Sequence, residues 1–291
     1  MTRKNLFDPP PFDQYQFQNQ DQHKTNDQAS GGGIFLPQKL SQTLEDILIP
    51  FEEGFLKKLL PVVHFLRLYH RYEVKNLAKI PFSGPCLLAV NHSFATYDGF
   101  LLGATIYLKT GRAPCGLADH NFFKTKWSQE ISKKFRLVEG LPENAQRLVQ
   151  QEELIMVAPG GMREALRPTT TEKHQIKWQK RLGFVRLAVK NQCPVVLAAC
   201  PSADEIYEVY PNILTKLIYQ NFKLPFAVIK GLGPSFLPKP VKLVHHLKGP
   251  FKPPKIEPDE DADSMLIKIQ HFHELLVFEM EQLLKKASSK R

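Results

Sequence analysis

Between residues 86 and 231 short apolar runs alternate with longer segments of helical character. The runs are CLLAVNH (86–92), CGLAD (115–119), RLVEG (136–140), LIMVAPGG (154–161), PVVLAAC (194–200) and FAVIKG (226–231). Segments 98–110, 121–134, 143–152 and 177–191 lie between several of them and read as helices. Runs this short and this continuously apolar fit strands buried on both faces. Strands alternating with helices predict an α/β fold, a largely parallel central sheet flanked by helices. A 43% hydrophobic content in 291 residues can fill the core of such a domain.

The flanks read differently. Residues 1–33 are rich in Gln, Asn and Asp and close on Gly31-Gly32-Gly33, so they bury little apolar area and are expected to form a disordered polar tail. Residues 34–74 read as an amphipathic helical segment. Leu44, Ile47, Leu48, Phe51, Phe55, Leu59, Val62 and Leu66 recur at mostly three- and four-residue intervals, and Thr43 with Asp46 resembles a capping box. Pro50 and Pro61 are expected to kink or split it. Residues 75–291 form the main domain. Within it 233–257 is Pro- and Lys-rich and expected to be irregular, with one short strand at KLVHHL, and Asp263–Lys286 carries a helical stripe ending in Lys285 and Lys286.

Charge and cysteines exclude several classes. The formal net charge of +10 favours an anionic partner. Cys86, Cys115, Cys193 and Cys200 form no C-x-x-C pair, so neither a zinc site nor a disulfide framework is expected. There is no apolar leader at the start and no run of the ~18 apolar residues that span a bilayer. No G-x-G-x-x-G, Walker or G-x-S-x-G motif is present, and no nucleic-acid motif. His271 and His273, two apart on a helix, do not converge on a metal, and His245 and His246 point to opposite faces of a strand.

Two strand ends carry candidate chemistry. In open α/β sheets reactive groups gather beyond the carboxyl ends of the strands. The first end gives Asn91-His92, then Asp98-Gly99. An imidazole with a carboxylate on its other nitrogen is a general base with a fixed tautomer; a strand end followed by a helix start explains the same letters. The second end, VAPGGMREAL (157–166), gives Pro159, Gly160 and Gly161, a turn whose N–H groups can face an anion, and Arg163, which can hold a phosphate or carboxylate bidentately. An ordinary turn with an exposed Arg163–Glu164 pair is the alternative.

Together, N-H-x5-D-G and P-G-G-x-R-E-A-L resemble the glycerolipid and lysophospholipid acyltransferase superfamily. The likeness is nearest to its branch of type-two diacylglycerol acyltransferases, where P-G-G-x-x-E-A is typical. GFVRLAVKNQCPVV (183–196), ADEIY (203–207) and LPKPVKLVHHLKGPFKPP (237–254) extend the resemblance over roughly 75–288. It implies an O-acyltransferase that moves a fatty acyl group from an acyl thioester to a hydroxyl of a lysophospholipid or acylglycerol. His92 would be the general base and Asp98 its orienting acid, with Asn91 supporting the loop. Pro159, Gly160, Gly161 and Arg163 would hold acceptor phosphate or the thioester carrier, and Glu164 would buttress Arg163. Five residues, Ser93 to Tyr97, separate His92 from Asp98, where four is the commonest family spacing, and G-G-M-R stands where phosphate-binding members carry E-G-T-R. The acceptor therefore stays open.

No metal or cofactor is expected, with acyl-CoA or acyl carrier protein as donor. Expected partners are membrane lipids, an anionic membrane surface and acyl carrier protein, and not nucleic acid. The expected location is the cytoplasmic side, peripherally or monotopically on a membrane. A thioester or lipid hydrolase on the same site and a non-catalytic basic lipid-binding module are the alternatives.

Overall fold

The computed structural model describes residues 53–288 apart from 170, 211–227, 234 and 258. The expected polar tail and the Thr43–Asp46 cap lie outside the described residues. The elements, in chain order, are α1 (Glu53–Tyr69), β1 (Glu73–Lys75), β2 (Cys86–Val90), α2 (Tyr97–Thr110), β3 (Cys115–Ala118) and α3 (Lys126–Lys134). They continue with β4 (Leu137–Glu139), α4 (Pro142–Gln150), β5 (Leu154–Val157), α5 (Gly161–Ala165), α6 (Gly183–Lys190) and β6 (Val195–Ala199). A ribbon of β7 (Glu208–Tyr210) and β8 (Val228–Lys230), then β9 (Val244–Phe251) and the long α7 (Ala262–Ser288), complete the series.

Seven strands form one sheet in the order β1-β9-β6-β2-β5-β3-β4. Neighbours from β6 to β4 are parallel, and only β9 against β6 is antiparallel. The central strands β2 and β6 are buried along their whole length, which their unbroken apolar sequences require. Alternate residues serve opposite faces. Leu87, Ala89, Val195 and Leu197 pack with Phe184 and Val185 of α6 and with Phe272, Leu276 and Met280 of α7. Leu88, Val90, Val196 and Ala198 pack with Leu102 and Ile106 of α2. The expected α/β architecture is therefore present, helix layers on both faces of a mostly parallel sheet.

Several details differ from expectation. Within FAVIKG, the described Val228–Lys230 does not join the main sheet but pairs antiparallel with β7 in a separate ribbon. The strand expected at KLVHHL starts at Val244 and runs on to Phe251, eight residues, because β9 finds partners on both sides, β1 and β6. Segment 121–134 splits into a short 3₁₀ turn and α3, since Thr125 and Ser128 form a reciprocal cap that restarts the helix. Segment 177–191 becomes helical only at Gly183. Helix α1 runs through Pro61 without a break; the residue is exposed there, so water can serve the backbone group left by the missing N–H.

The expected apolar stripe of α1 is largely the packed one: Phe55, Leu59 and Leu66 are half-buried, and only Val62 departs, with its neighbour Val63 fully buried in its place. Val62, Phe65 and Leu68 are exposed at 49%, 62% and 79%, so the helix carries apolar residues outside that stripe as well. Among the described residues no helix is long and apolar enough to cross a membrane.

Candidate active site

Three adjacent parallel strands, β5, β2 and β6, end at one edge of the sheet. The segments leaving them carry Pro159–Glu164, Asn91-His92 and Cys200–Asp204. Asn91 fastens two of these ends. Its Oδ1 accepts from the Cys200 N–H at 2.8 Å and its Nδ2 donates to the Cys200 carbonyl at 3.4 Å, continuing the ladder beyond the last strand residues.

His92 is half-buried, and its peptide group is held on both sides. Its N–H donates to Glu164 Oε1 at 2.6 Å, and its carbonyl accepts from Arg167 Nη1 at 2.6 Å. The imidazole Nδ1 lies 2.8 Å from the Ser93 carbonyl. A carbonyl only accepts, so Nδ1 carries the proton and Nε2 of the neutral ring keeps its lone pair. Burial lowers the His92 pKa, and the charges of Arg167 and Arg181 add to that, against opposing contributions from the Ser93 carbonyl and Asp98. The ring is therefore kept neutral, as a proton acceptor must be.

Thr96 flanks the ring, its hydroxyl 3.2 Å from Nδ1 and 3.5 Å from Nε2. It adopts φ +50°, an uncommon conformation for a β-branched residue and one found where strain is retained at a working site. The turn brings Thr96 so close to the first turn of α2 that a Cβ on Gly99 would lie 2.8 Å from Thr96 Cγ2. That contact explains glycine directly after Asp98.

Asp98 is 2% exposed, and its carboxylate does not bond His92. Oδ1 accepts from Ser93 Oγ at 2.5 Å, and Oδ2 lies 3.3 Å from His245 Nε2. Burial alone would raise its pKa, but His245 and the Ser93 hydroxyl outweigh that and hold the carboxyl below the ordinary range. Asp98 thus reaches His92 through Ser93, hydroxyl on one side and carbonyl on the other. Ser93 is buried and occupied in this link.

Residues 71–200 match the model of the family described as Acyltransferase. That stretch belongs to the acyltransferase family. Over 204 residues the chain is 30% identical to a Bos taurus protein named "DGAT1/2-independent enzyme synthesizing storage lipids", covering 69% of this chain and 59% of that one. The Homo sapiens protein of the same name is 29% identical over 204 residues, 69% of this chain and 60% of its own. The chain thus spans about three fifths of the length of these relatives. Among solved structures, the 1-acyl-sn-glycerophosphate acyltransferase PlsC from Thermotoga maritima aligns at 12% identity with a TM-score of 0.43, over 83% of this chain and 88% of that one.

In this acyltransferase domain the Pro-Gly-Gly turn serves packing as much as exposure. A Cβ on Gly160 would collide with the buried Glu164 side chain, and one on Gly161, at φ +51°, would collide with the Arg181 guanidinium. The Gly161 N–H is taken by the Ala158 carbonyl at 3.0 Å, and the Pro159 carbonyl accepts from Arg181 Nη1 at 3.2 Å. Arg163 and Glu164 go separate ways. Arg163 Nη1 donates to Gln179 Oε1 at 2.5 Å. Glu164 is fully buried and accepts from the N–H groups of His92 and Lys177, the latter at 2.9 Å. Burial raises its pKa, while Arg167 and the two N–H donors oppose this.

Three participants were not singled out from sequence. Arg167 is 3% exposed and divides its guanidinium among the carbonyls of His92 and Glu164 and the carboxylate of Asp204, with Nη2 2.5 and 2.7 Å from the two Asp204 oxygens. Asp204 also accepts from the His174 N–H at 2.8 Å. The signals were an arginine one turn after Glu164 and an aspartate in ADEIY, both indistinguishable in sequence from surface charge. The third is His245. Asp204 and His245 lie beyond the stretch that the acyltransferase model covers. Burial pushes the Cys86 and Cys115 thiols up to about 12 and Cys193 to about 11, so these three are not nucleophiles at neutral pH.

Proposed function

We propose that the protein transfers a fatty acyl group from an acyl thioester to a hydroxyl of a glycerolipid acceptor, with His92 as general base. The observation that carries this reading is the Nδ1–H bond to the Ser93 carbonyl, which leaves Nε2 of a neutral ring available to an incoming alcohol. Nε2 takes the alcohol proton as the oxygen attacks the thioester carbon. The C–O bond forms and the C–S bond breaks. The proton then leaves His92 for the departing thiolate. Positioned base catalysis contributes ~10²–10⁴-fold; bringing alcohol and thioester together supplies much of the rest.

Asp98 supports the base at one remove, through Ser93, while Glu164 and Arg167 fix its backbone. Arg163, which follows the Pro-Gly-Gly turn, and Arg181, which packs against it, bind the anionic portion of the acceptor or the carrier of the thioester. The thioester is itself activated, so neither a metal nor a cofactor is required. The donor is acyl-CoA or acyl carrier protein.

The lipid surface meets α1 and α3. Val62, Phe65 and Leu68 of α1 and Trp127 of α3 are exposed, the last at 75%, and Phe122 beside α3 is exposed too. Phe55 of α1 meets Phe135, next to α3, edge to face at 5.4 Å, and Lys134 Nζ lies 5.8 Å from the Phe55 ring centre. Lys126, Lys133 and Lys134 of α3 add positive charge, and exposed apolar and aromatic residues with basic neighbours fit an anionic membrane interface on the cytoplasmic side.

The test is acylation of a panel of lysophospholipids, monoacylglycerol and diacylglycerol by labelled acyl-CoA, and in parallel by acyl carrier protein, with His92→Ala alongside. A new acylated lipid made by the native protein alone identifies the transferase and its acceptor. Free fatty acid released at the same rate with and without acceptor would instead identify a hydrolase. Equal product from native and variant protein would sink the role of His92.

A further inference from the structure

His245 is the second residue of β9 and is fully buried. Because β9 runs antiparallel to β6, its first residues lie at the edge where β6 ends; His246 pairs with Ala199. The ionisable groups facing His245 there are Tyr72, which follows α1, Asp98 of α2 and Cys200, which follows β6. Tyr72 Oη lies 2.9 Å from His245 Nδ1, and Asp98 Oδ2 lies 3.3 Å from Nε2. The potential ligand atoms of Asp98, Cys200 and His245 all fall within 4.8 Å of one another. Arg67 acts on Tyr72 through its charge.

The arrangement answers a specific need. A buried carboxylate without a partner is costly, and the residue expected to pair with Asp98, His92, bonds the Ser93 carbonyl instead. We infer that His245, backed by Tyr72, is a positioning residue for the acyltransfer site: its ring fixes and balances the Asp98 carboxylate, which Ser93 links to His92. The inference rests on the reading of His92 as the base. Burial holds the Tyr72 phenol well above its ordinary pKa, so the hydroxyl stays protonated and can donate to Nδ1 at 2.9 Å. That leaves Nε2 as the ring nitrogen that carries a proton on the Asp98 side, 3.3 Å from Oδ2, an electrostatic approach and not an aligned hydrogen bond. The chain runs Tyr72, His245, Asp98, Ser93, His92, and joins four separate elements of the sheet edge.

The test compares full-length native protein with His245→Leu and His245→Gln, read in two ways. The first is kcat and KM against pH. The second is the titration of the Asp98 carboxyl by carbon NMR of aspartate-labelled protein, which does not depend on activity. Leucine is expected to lower kcat about 10–100-fold, less than the ~10²–10⁴-fold of the base itself, with KM changed less than about 3-fold. The Asp98 carboxyl is expected to titrate at higher pH. Glutamine keeps an N–H near the position of Nε2 and is expected to recover most of the rate, which a purely apolar packing role would not reward. Tyr72→Phe, which removes only an oxygen, is expected to shift the carboxyl in the same direction by less, and serves where leucine unfolds the chain. An unmoved Asp98 titration in these variants overturns the inference. So does stoichiometric zinc that is lost with Cys200→Ser, since the cluster would then be a metal site. If the native protein makes no acylated lipid but the carboxyl titration moves as expected, the acyltransfer reading falls and the His245–Asp98 pairing stands.

Discussion

The N–H of His92 donates to Oε1 of Glu164 at 2.6 Å, and this one bond ties the end of β2 to the short helix that follows β5. The other oxygen of Glu164 takes the Lys177 N–H, so a single buried carboxylate holds two chain segments around the reactive ring. Substituting Glu164→Gln replaces one acceptor by a donor aimed at an N–H. The loss of a buried hydrogen bond costs about 1–3 kcal/mol. The variant is expected to melt at lower temperature and to lose kcat as His92 drifts. Native melting and turnover in Glu164→Gln would show that the carboxylate is dispensable.

Arg167 and Asp204 form an ion pair with both side chains 2% exposed. Removing one partner of such a pair typically costs about 3–5 kcal/mol, because a buried charge is left behind. Asp204→Ala is therefore expected to be among the most destabilising single changes in the chain. It also releases the Arg167 guanidinium that holds the His92 carbonyl, so activity should fall even below the melting transition. Urea unfolding measures the first effect; if the variant unfolds within about 1 kcal/mol of the native chain, the pair is not the brace described.

The pH profile has a defined sign. The base works when neutral, and burial together with Arg167 and Arg181 lowers the His92 pKa from 6.5. Activity should therefore persist below pH 6.5 and fall only as pH drops through the lowered value. Arg181→Gln removes a positive charge, which eases protonation, so its acid limb should lie at higher pH than that of the native enzyme. A limb that stays in place, or moves to lower pH, would rule out Arg181 as a contributor.

Membrane docking through α1 predicts a separation of binding from chemistry. Phe65→Glu and Leu68→Glu place charge on exposed positions of that helix and should leave the melting temperature within about 2 °C. Binding to vesicles of anionic phospholipid should weaken at least tenfold, and added salt should weaken native binding as well. Sedimentation with vesicles reads both; native-like pelleting by the double variant would place the contact elsewhere.

Much of the site could be read from strand ends. Asn91, His92, Asp98 and the Pro-Gly-Gly element stand directly beyond runs that are apolar throughout, and those runs are central strands for the same reason. Their mutual geometry was not legible. Asp98 follows His92 by six positions, yet the 3₁₀ turn at Phe94–Thr96 points its carboxylate at Ser93 and His245. Arg163 and Glu164 are adjacent in sequence, but successive side chains on a helical turn diverge by about 100°, so one reaches Gln179 and the other the His92 backbone.

The sequence by itself determined the central strands and most of the helices between them, that the sheet is mostly parallel, and that a histidine and an arginine follow strand ends on one edge of it. Those features follow from local pattern, since burial on two faces demands unbroken apolar runs and a strand end exposes whatever comes next. Only the tertiary structure decided that His245 lies 3.3 Å from Asp98 and that Arg167, paired with Asp204, holds the His92 carbonyl. It did so because β9 enters antiparallel beside β6, which returns its first residues to the edge where the parallel strands finish. Pairing across 147 positions is a property of strand order and register, and no local spacing records it.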